Sequence, residues 1–206
     1  MNYQYLIKAA KELRDPEIST ILNYWAIEEW KHFDPGTFKE KFKESEFHLL
    51  CSDHSDLLSV GRINFKFSIN LDGESWPFAE LVGLVSIVKQ KGFARKLLKE
   101  IQGNLHSRQI QSIGFSATDL REFYRKWGIG ILPGKAKDLF EKSGDNLIES
   151  EDDDILLINV NGKHLAVLDR LSQEAPGLLD FSYNLGIDLL RIRIPFETVP
   201  PIFNKG

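Results

Sequence analysis

Cysteine is almost absent from this chain. Cys51 stands alone among 206 residues, so no intramolecular disulfide and no cysteine-built metal site can form. A chain without disulfides suits a reducing compartment, and the cytoplasm is the expected location. Long apolar runs are also missing. None approaches the roughly 20 residues that cross a bilayer, so no membrane span is expected. The opening stretch, MNYQYLIKAAKELRDPE, has neither a long apolar core nor a small-residue cleavage signature, and no secretory signal is read there. Positive charge is in slight deficit, with 26 Lys and Arg against 30 Asp and Glu. A nucleic-acid binder ordinarily carries a basic field, so nucleic acid is not an expected partner. The histidines (His32, His48, His54, His106 and His164) show no ligand spacing, and no metal site is expected. No serine sits in a nucleophile elbow. Cys51 lies in an apolar stretch and reads as a small core residue. Internal repeats and low-complexity segments are absent too.

What is present is ordinary globular material. Hydrophobic residues make up 42% and charged residues 27%, enough to build a core and too balanced for disorder. Residues 4–10 read as a strand. Asp15-Pro16 opens a helix over about 16–31, because Ile18, Ile21, Leu22, Trp25 and Trp30 share one face. Phe38 and Phe42 mark a short second helix after Asp34-Pro35. FHLLCS is a strand. Residues 57–88 read as a long antiparallel hairpin: Ile63, Phe65, Phe67 and Ile69 alternate with polar residues, Asn70 to Gly73 turn the chain, and Phe78 to Val88 is nearly continuous apolar. A helix over 93–107 carries Ala94, Leu97, Leu98, Ile101 and Leu105 on one stripe. A strand follows at 111–116. Then comes a helix capped by Thr118 and ended by Gly128. Further on, 136–142 reads as helical turns, ESEDDD (149–154) as a solvated acidic loop, and 155–160 as a strand. Asn161-Gly162 reads as a hairpin turn, 164–173 as a helix and 188–196 as a strand. The fold class is mixed α/β.

Chemistry concentrates at 80–107. A glycine-bearing loop between a strand and a helix presents successive backbone N–H groups. With the helix N-terminus they make an anion site suited to a pyrophosphate. Gly92 lets the backbone approach a ligand closely, and Lys89, Lys91 and Arg95 add positive charge. A plain strand-to-helix turn with surface lysines is the competing reading, and a short glycine motif alone does not exclude it.

The segment Lys89-Gln90-Lys91-Gly92-Phe93-Ala94 resembles the pyrophosphate loop of the GNAT superfamily of acetyl-CoA-dependent N-acetyltransferases. That loop reads Arg or Gln, two residues, Gly, one residue, Gly or Ala. The hairpin before it, the amphipathic helix after it, the strand IQSIGFS and the stretch LREFYRKWGI follow the family's order of elements. Three departures stand out, one of them a short strand-to-loop connection without the proline often seen there. Lysine occupies position 89, and the last seventy or so residues match no family pattern. The resemblance implies a mostly antiparallel sheet flanked by helices, with residues 1–135 as an acyl-CoA-binding core. Residues 136–206 would be an atypical C-terminal extension that completes the sheet or forms a small added subdomain.

The resemblance also implies a reaction. Acetyl-CoA, as co-substrate, would lie beside the 80–88 strand with its pyrophosphate on Lys89, Gln90, Lys91, Gly92, Phe93 and Ala94. A backbone N–H in the stretch from Val85 to Ile87 would polarise the thioester carbonyl. A small-molecule or peptide amine would attack directly. Tyr124 matches the family's acid near the CoA sulfur; packed beside Phe123 and Trp127 it also reads as a core aromatic. Glu80 matches the family's base and also reads as a strand-end surface glutamate. Trp25, Trp30, Phe38 and Phe42 either line an acceptor pocket or pack the core. A homodimer is compatible with the fold, since a C-terminal strand can be exchanged between subunits. The alternative is a non-catalytic module of the same fold that senses CoA or binds a protein.

Overall fold

The computed structural model describes residues 3–143 and 146–181, whose strands join one ten-stranded sheet. The strand expected at 188–196 lies outside the described residues. The spine is a long hairpin. Its arms are β3 (Leu57–Leu71) and β4 (Glu74–Ser86), and Asp72 and Gly73, both at positive φ, make the turn. The near-continuous apolar character of β4 reflects packing on both of its faces, with Ala79, Leu81 and Leu84 in one core cluster and Val85 against another. β3 pairs with it antiparallel, and β5 (Ser112–Ser116) pairs with it parallel.

β3 serves more than one partner along its other edge. Its first half pairs with β2 (Ser45–Ser52), which in turn pairs with β1 (Tyr3–Ala9). Past a bulge between Asn64 and Phe67, the residues Phe67 to Asn70 pair instead with β10 (Gly177–Phe181). β10 continues the sheet through β7 (Leu139–Ser143) to β8 (Asn146–Glu149). On the opposite side β5 passes to β9 (Asp154–Asn159) and then β6 (Gly130–Leu132). Strands after residue 135 thus join both flanks of the same sheet.

Helices cover both faces. α3 (Phe93–Ser107) buries Leu97, Leu98, Ile101 and Leu105 on one face, matching the apolar stripe in its sequence. The other face is covered by α1 (Asp15–Trp25) and α2 (Pro35–Lys41). Asp34 caps α2 by accepting from the Gly36 and Thr37 N–H groups at 2.8 and 3.0 Å, and Pro35 occupies the first turn. Trp25, Trp30, Phe38, Phe42 and Phe47 form a closed aromatic core between these helices and the sheet.

Several expectations are corrected. α1 stops at Trp25 because Ala26 turns left-handed (φ 52°); Trp30 reaches the same core from a separate 3-10 turn at Glu28–Trp30. The polar side of the 63–69 alternation is not solvated throughout. Arg62 and Asn64 are buried, with Arg62 stacked 4.8 Å from the Phe42 ring under α2. Thr118 caps no helix; its N–H and hydroxyl both donate to Asp153, and α4 (Arg121–Lys126) begins after a 3-10 turn. Residues 136–142 divide into a 3-10 turn and strand β7, because Leu139 is drawn into the sheet's core. Asn161-Gly162 is not a hairpin turn. Asn161 is extended and precedes α5 (Gly162–Arg170), which buries Val167 and Leu168. The acidic run is not a free loop. Asp154 is fully buried and takes two 2.7 Å hydrogen bonds from Arg121 and one of 3.0 Å from the Gly134 N–H.

Candidate functional site

The site begins where β4 and β5 part. They pair only through Ala79, Glu80 and Leu81, opposite Ser112, Ile113 and Gly114. Beyond Leu81, β4 runs on to Ser86 with β3 on one side and no β5 partner on the other, while β5 stays with β9. A wedge opens between two strands that were neighbours. The register of β4 against β3 slips at the same place: Val82 faces Arg62, but Val85 faces Val60, so β4 carries one extra residue. That is a β-bulge, and Gly83 sits in it at φ 69°. A Cβ on Gly83 would lie 2.6 Å from the Trp25 indole nitrogen, so the position excludes a side chain on space as well as on backbone conformation.

Two contacts fix the far end of β4. The Ser59 hydroxyl donates to the Val85 carbonyl at 2.7 Å, and the Ile87 N–H donates to the Leu58 carbonyl at 2.9 Å. The Ile87 N–H is therefore spent on β3. This corrects its expected use on a thioester. The Val88 N–H also reaches the Leu58 carbonyl, at 3.3 Å, so of the Val85-to-Ile87 stretch it is Ser86 whose N–H regular strand alternation would turn to the wedge.

The loop follows at once. Lys89, Gln90, Lys91 and Gly92 are exposed, and the chain passes through left-handed geometry at Gln90 (φ 59°) and Gly92 (φ 71°). No atom lies within 4 Å of the place a Gly92 Cβ would take, so the space above it is open. Gly92 is also the cap of α3. No side chain caps that N-terminus and its first turn has no acid. The first N–H groups of α3, flanked by Lys91 and Arg95, are left to an anion. Phe93 and Ala94 point their side chains into the core under α3 and offer the loop only backbone. Val85 is partly buried against the α1 side of the sheet.

Glu80 lies on β4 and Tyr124 on α4. Glu80 is buried, which corrects its reading as a surface glutamate, and one of its oxygens accepts from Asn64 Nδ2 at 3.3 Å. Burial pushes its carboxyl up from the ordinary range, with Arg62 pulling the other way. Tyr124 is buried beside Phe123 (ring centroids 5.4 Å apart) and Trp127. Burial first, and Asp152 second, raise its phenol well above the ordinary value, so it stays protonated at neutral pH. Asp152 acts on Glu80 as well, in the same direction. Sequence reasoning missed Asp152, Arg62 and Asn64: the first sits in the acidic run, and the other two on the supposed solvent side of a strand.

Other expectations end elsewhere. Cys51 is 3% exposed and burial pushes its thiol up, so it is a core residue and a poor nucleophile. Trp25, Trp30, Phe38 and Phe42 are at most 2% exposed and pack in one core cluster. Among the described residues no group of His, Cys, Asp and Glu could hold a metal ion, and no helix is long and apolar enough to cross a membrane.

No protein-family model and no curated protein sequence matches the chain. Solved structures do. The Escherichia coli GNAT-family N-acetyltransferase YhbS, determined with CoA, superposes with a TM-score of 0.52 over 88% of this chain and 91% of its own, at 14% identity. The catalytic domain of the Tetrahymena GCN5 histone acetyltransferase, also with CoA, gives 0.47 over 79% and 96%, at 8% identity. A conserved Enterococcus faecalis protein gives 0.47 over 66% of this chain at 13% identity, and this chain spans only 36% of that protein's length. The first superposition, with the open mostly antiparallel sheet and its helices, shows the GNAT fold.

Proposed function

We propose that the chain is an N-acetyltransferase, moving an acetyl or other short acyl group from acyl-CoA to an amine. The observation that carries this reading is the wedge beside β4, which starts at the Gly83 bulge and leads into the open, uncapped loop at Gly92. Acetyl-CoA fits that shape. Its pyrophosphate would take the α3 N–H groups and the charges of Lys89, Lys91 and Arg95. The pantetheine would run along the free edge of β4, and the thioester carbonyl would accept from the Ser86 N–H. Residues 1–135 would form the acyl-CoA-binding core, with the described strands after 135 completing its sheet. A neighbour of the same fold was determined with CoA, which supports the choice of donor.

The reaction needs two proton movements. The amine nitrogen attacks the thioester carbon, an amide forms, and the C–S bond breaks. A carboxylate accepts the amine's proton, and Glu80 suits this because its raised pKa brings a carboxylate nearer neutrality. The leaving thiolate takes a proton from Tyr124, which burial keeps protonated. Holding both reactants in one wedge supplies much of the remaining rate by orientation. The acceptor is a small-molecule or peptide amine.

Gly92→Glu tests the site. It puts bulk and negative charge where the pyrophosphate would sit. Calorimetric titration should find acetyl-CoA bound by the natural protein and not by the variant; equal affinity in both would overturn the assignment. Lysine at 89, where the family carries Arg or Gln, favours one second reading, a non-catalytic CoA sensor or protein-binding module. Binding without thiol release across a broad amine screen would support it.

A further inference from the structure

The bulge in β4 poses a problem that a distant residue answers. An extra residue at left-handed φ rotates the Gly83 carbonyl out of the ladder with β3. A backbone carbonyl turned into an apolar layer must find a donor or forfeit a hydrogen bond. The donor here is Trp25, at the end of α1. Its indole Nε1–H donates to the Gly83 oxygen at 3.0 Å across 58 positions of sequence. The same ring abuts Gly83, with three of its atoms within 2.9 Å of where a Cβ would stand. Trp25 is itself 1% exposed and held by Trp30, Phe38, Phe42 and Phe47. A ring so enclosed cannot leave its place without dismantling the aromatic core.

We infer that Trp25 is a positioning residue for the acyl group: its indole N–H locks the Gly83 carbonyl, and so fixes which β4 amide faces the wedge. The inference rests on the function proposed above. The logic is geometric. Edge direction alternates along a strand, so a bulge that relaxes into regular pairing exchanges the amides that face the wedge with those that face β3. The Ser86 N–H would then turn to β3. The pyrophosphate loop lies beyond, with its own left-handed residues, and does not depend on this bond. Loss of the indole donor should therefore separate two things that bind together in the natural protein, the CoA body and the acyl carbonyl.

The test compares acetyl-CoA with free CoA on the natural protein and on Trp25→Phe by calorimetric titration, and needs no acceptor. In the natural protein acetyl-CoA should bind more tightly than CoA. In Trp25→Phe that preference should vanish while free CoA binds as before. Replacing Trp25 by benzothienylalanine, which keeps the ring's shape and puts sulfur where the N–H was, should give the same split even if the phenylalanine variant folds poorly. A replacement that keeps the full acetyl preference overturns the inference and leaves the transferase reading intact. A natural protein that binds neither ligand overturns both. A purely structural role would lower both affinities together with the melting temperature, and that result also overturns the inference.

Discussion

His48 should make this protein acid-sensitive well above the carboxylate range. The imidazole is fully buried on β2, where the Tyr5 hydroxyl lies 2.6 Å from Nδ1. Glu46 Oε2 lies 3.7 Å from Nε2, and Arg108 donates to both Glu46 oxygens. The Tyr5 hydroxyl can serve Nδ1 in either neutral tautomer, so the fold accommodates the uncharged ring. Burial lowers His48 from 6.5 to about 4, against a smaller pull upward from Glu46. A depressed pKa means the folded state resists the proton that the unfolded state accepts. The contribution to stability is complete above about pH 6.5 and is lost as pH falls toward 4. At about 1.4 kcal/mol per pH unit, that interval is worth about 3 kcal/mol, of which about 2 kcal/mol is gone by pH 5. Urea unfolding at pH 7 and pH 5 measures it, with His48→Gln as the reference, since an amide oxygen can still accept from Tyr5. Carboxylates titrate alike in both proteins and cancel. The natural protein should lose about 2 kcal/mol more than the variant over this interval. Parallel losses would refute the argument.

Three further outcomes follow from the same geometry. Tyr124→Phe should lower acetyl transfer, read as thiol release, by about 10-fold or more while leaving CoA affinity unchanged; an unaltered rate removes Tyr124 from the chemistry. Glu80→Gln should flatten the rise of rate with pH, because only the ionised carboxyl is a base. Its raised folded pKa also means the ionised form costs stability as pH rises, so the amide variant should be relatively more stable at pH 8 than at pH 5; urea midpoints that move the other way would contradict the burial argument. Gly103 is in the interior of α3, with open space where an alanine Cβ would stand. Gly103→Ala should therefore stabilise by about 0.5–1 kcal/mol, and a lower melting temperature would refute this.

The sequence was most legible where one period ran unbroken. The stripe of α3 could be read to the residue and the hairpin of β3 and β4 as a unit, although β4 begins at Glu74 rather than Phe78, because a helix face and a pleat each impose a fixed spacing. The Gly92 loop was legible for a related reason: left-handed backbone beside a helix start leaves few residue choices. What could not be read depends on neighbours. Nothing local marks Ala26 as the end of α1, since alanine normally prolongs a helix. The burial of Arg62 and Asn64 comes from α2 covering the strand, and that of Asp154 from Arg121, thirty-three positions away. Gly83 looked like one apolar-strand residue among several. Its meaning lies in the indole set against it from α1.

The double use of one β3 edge has a consequence for synthesis. Phe67 to Asn70 wait for β10, which leaves the ribosome about a hundred residues later. At roughly 5–20 residues per second, that edge stands uncovered for some seconds after its hairpin can form. Its Phe67, Ile69 and Leu71 are apolar, and a bare strand of that kind recruits strands from other chains. A chaperone would therefore find its opportunity here, and overproduction should fail first by nascent chains pairing along β3.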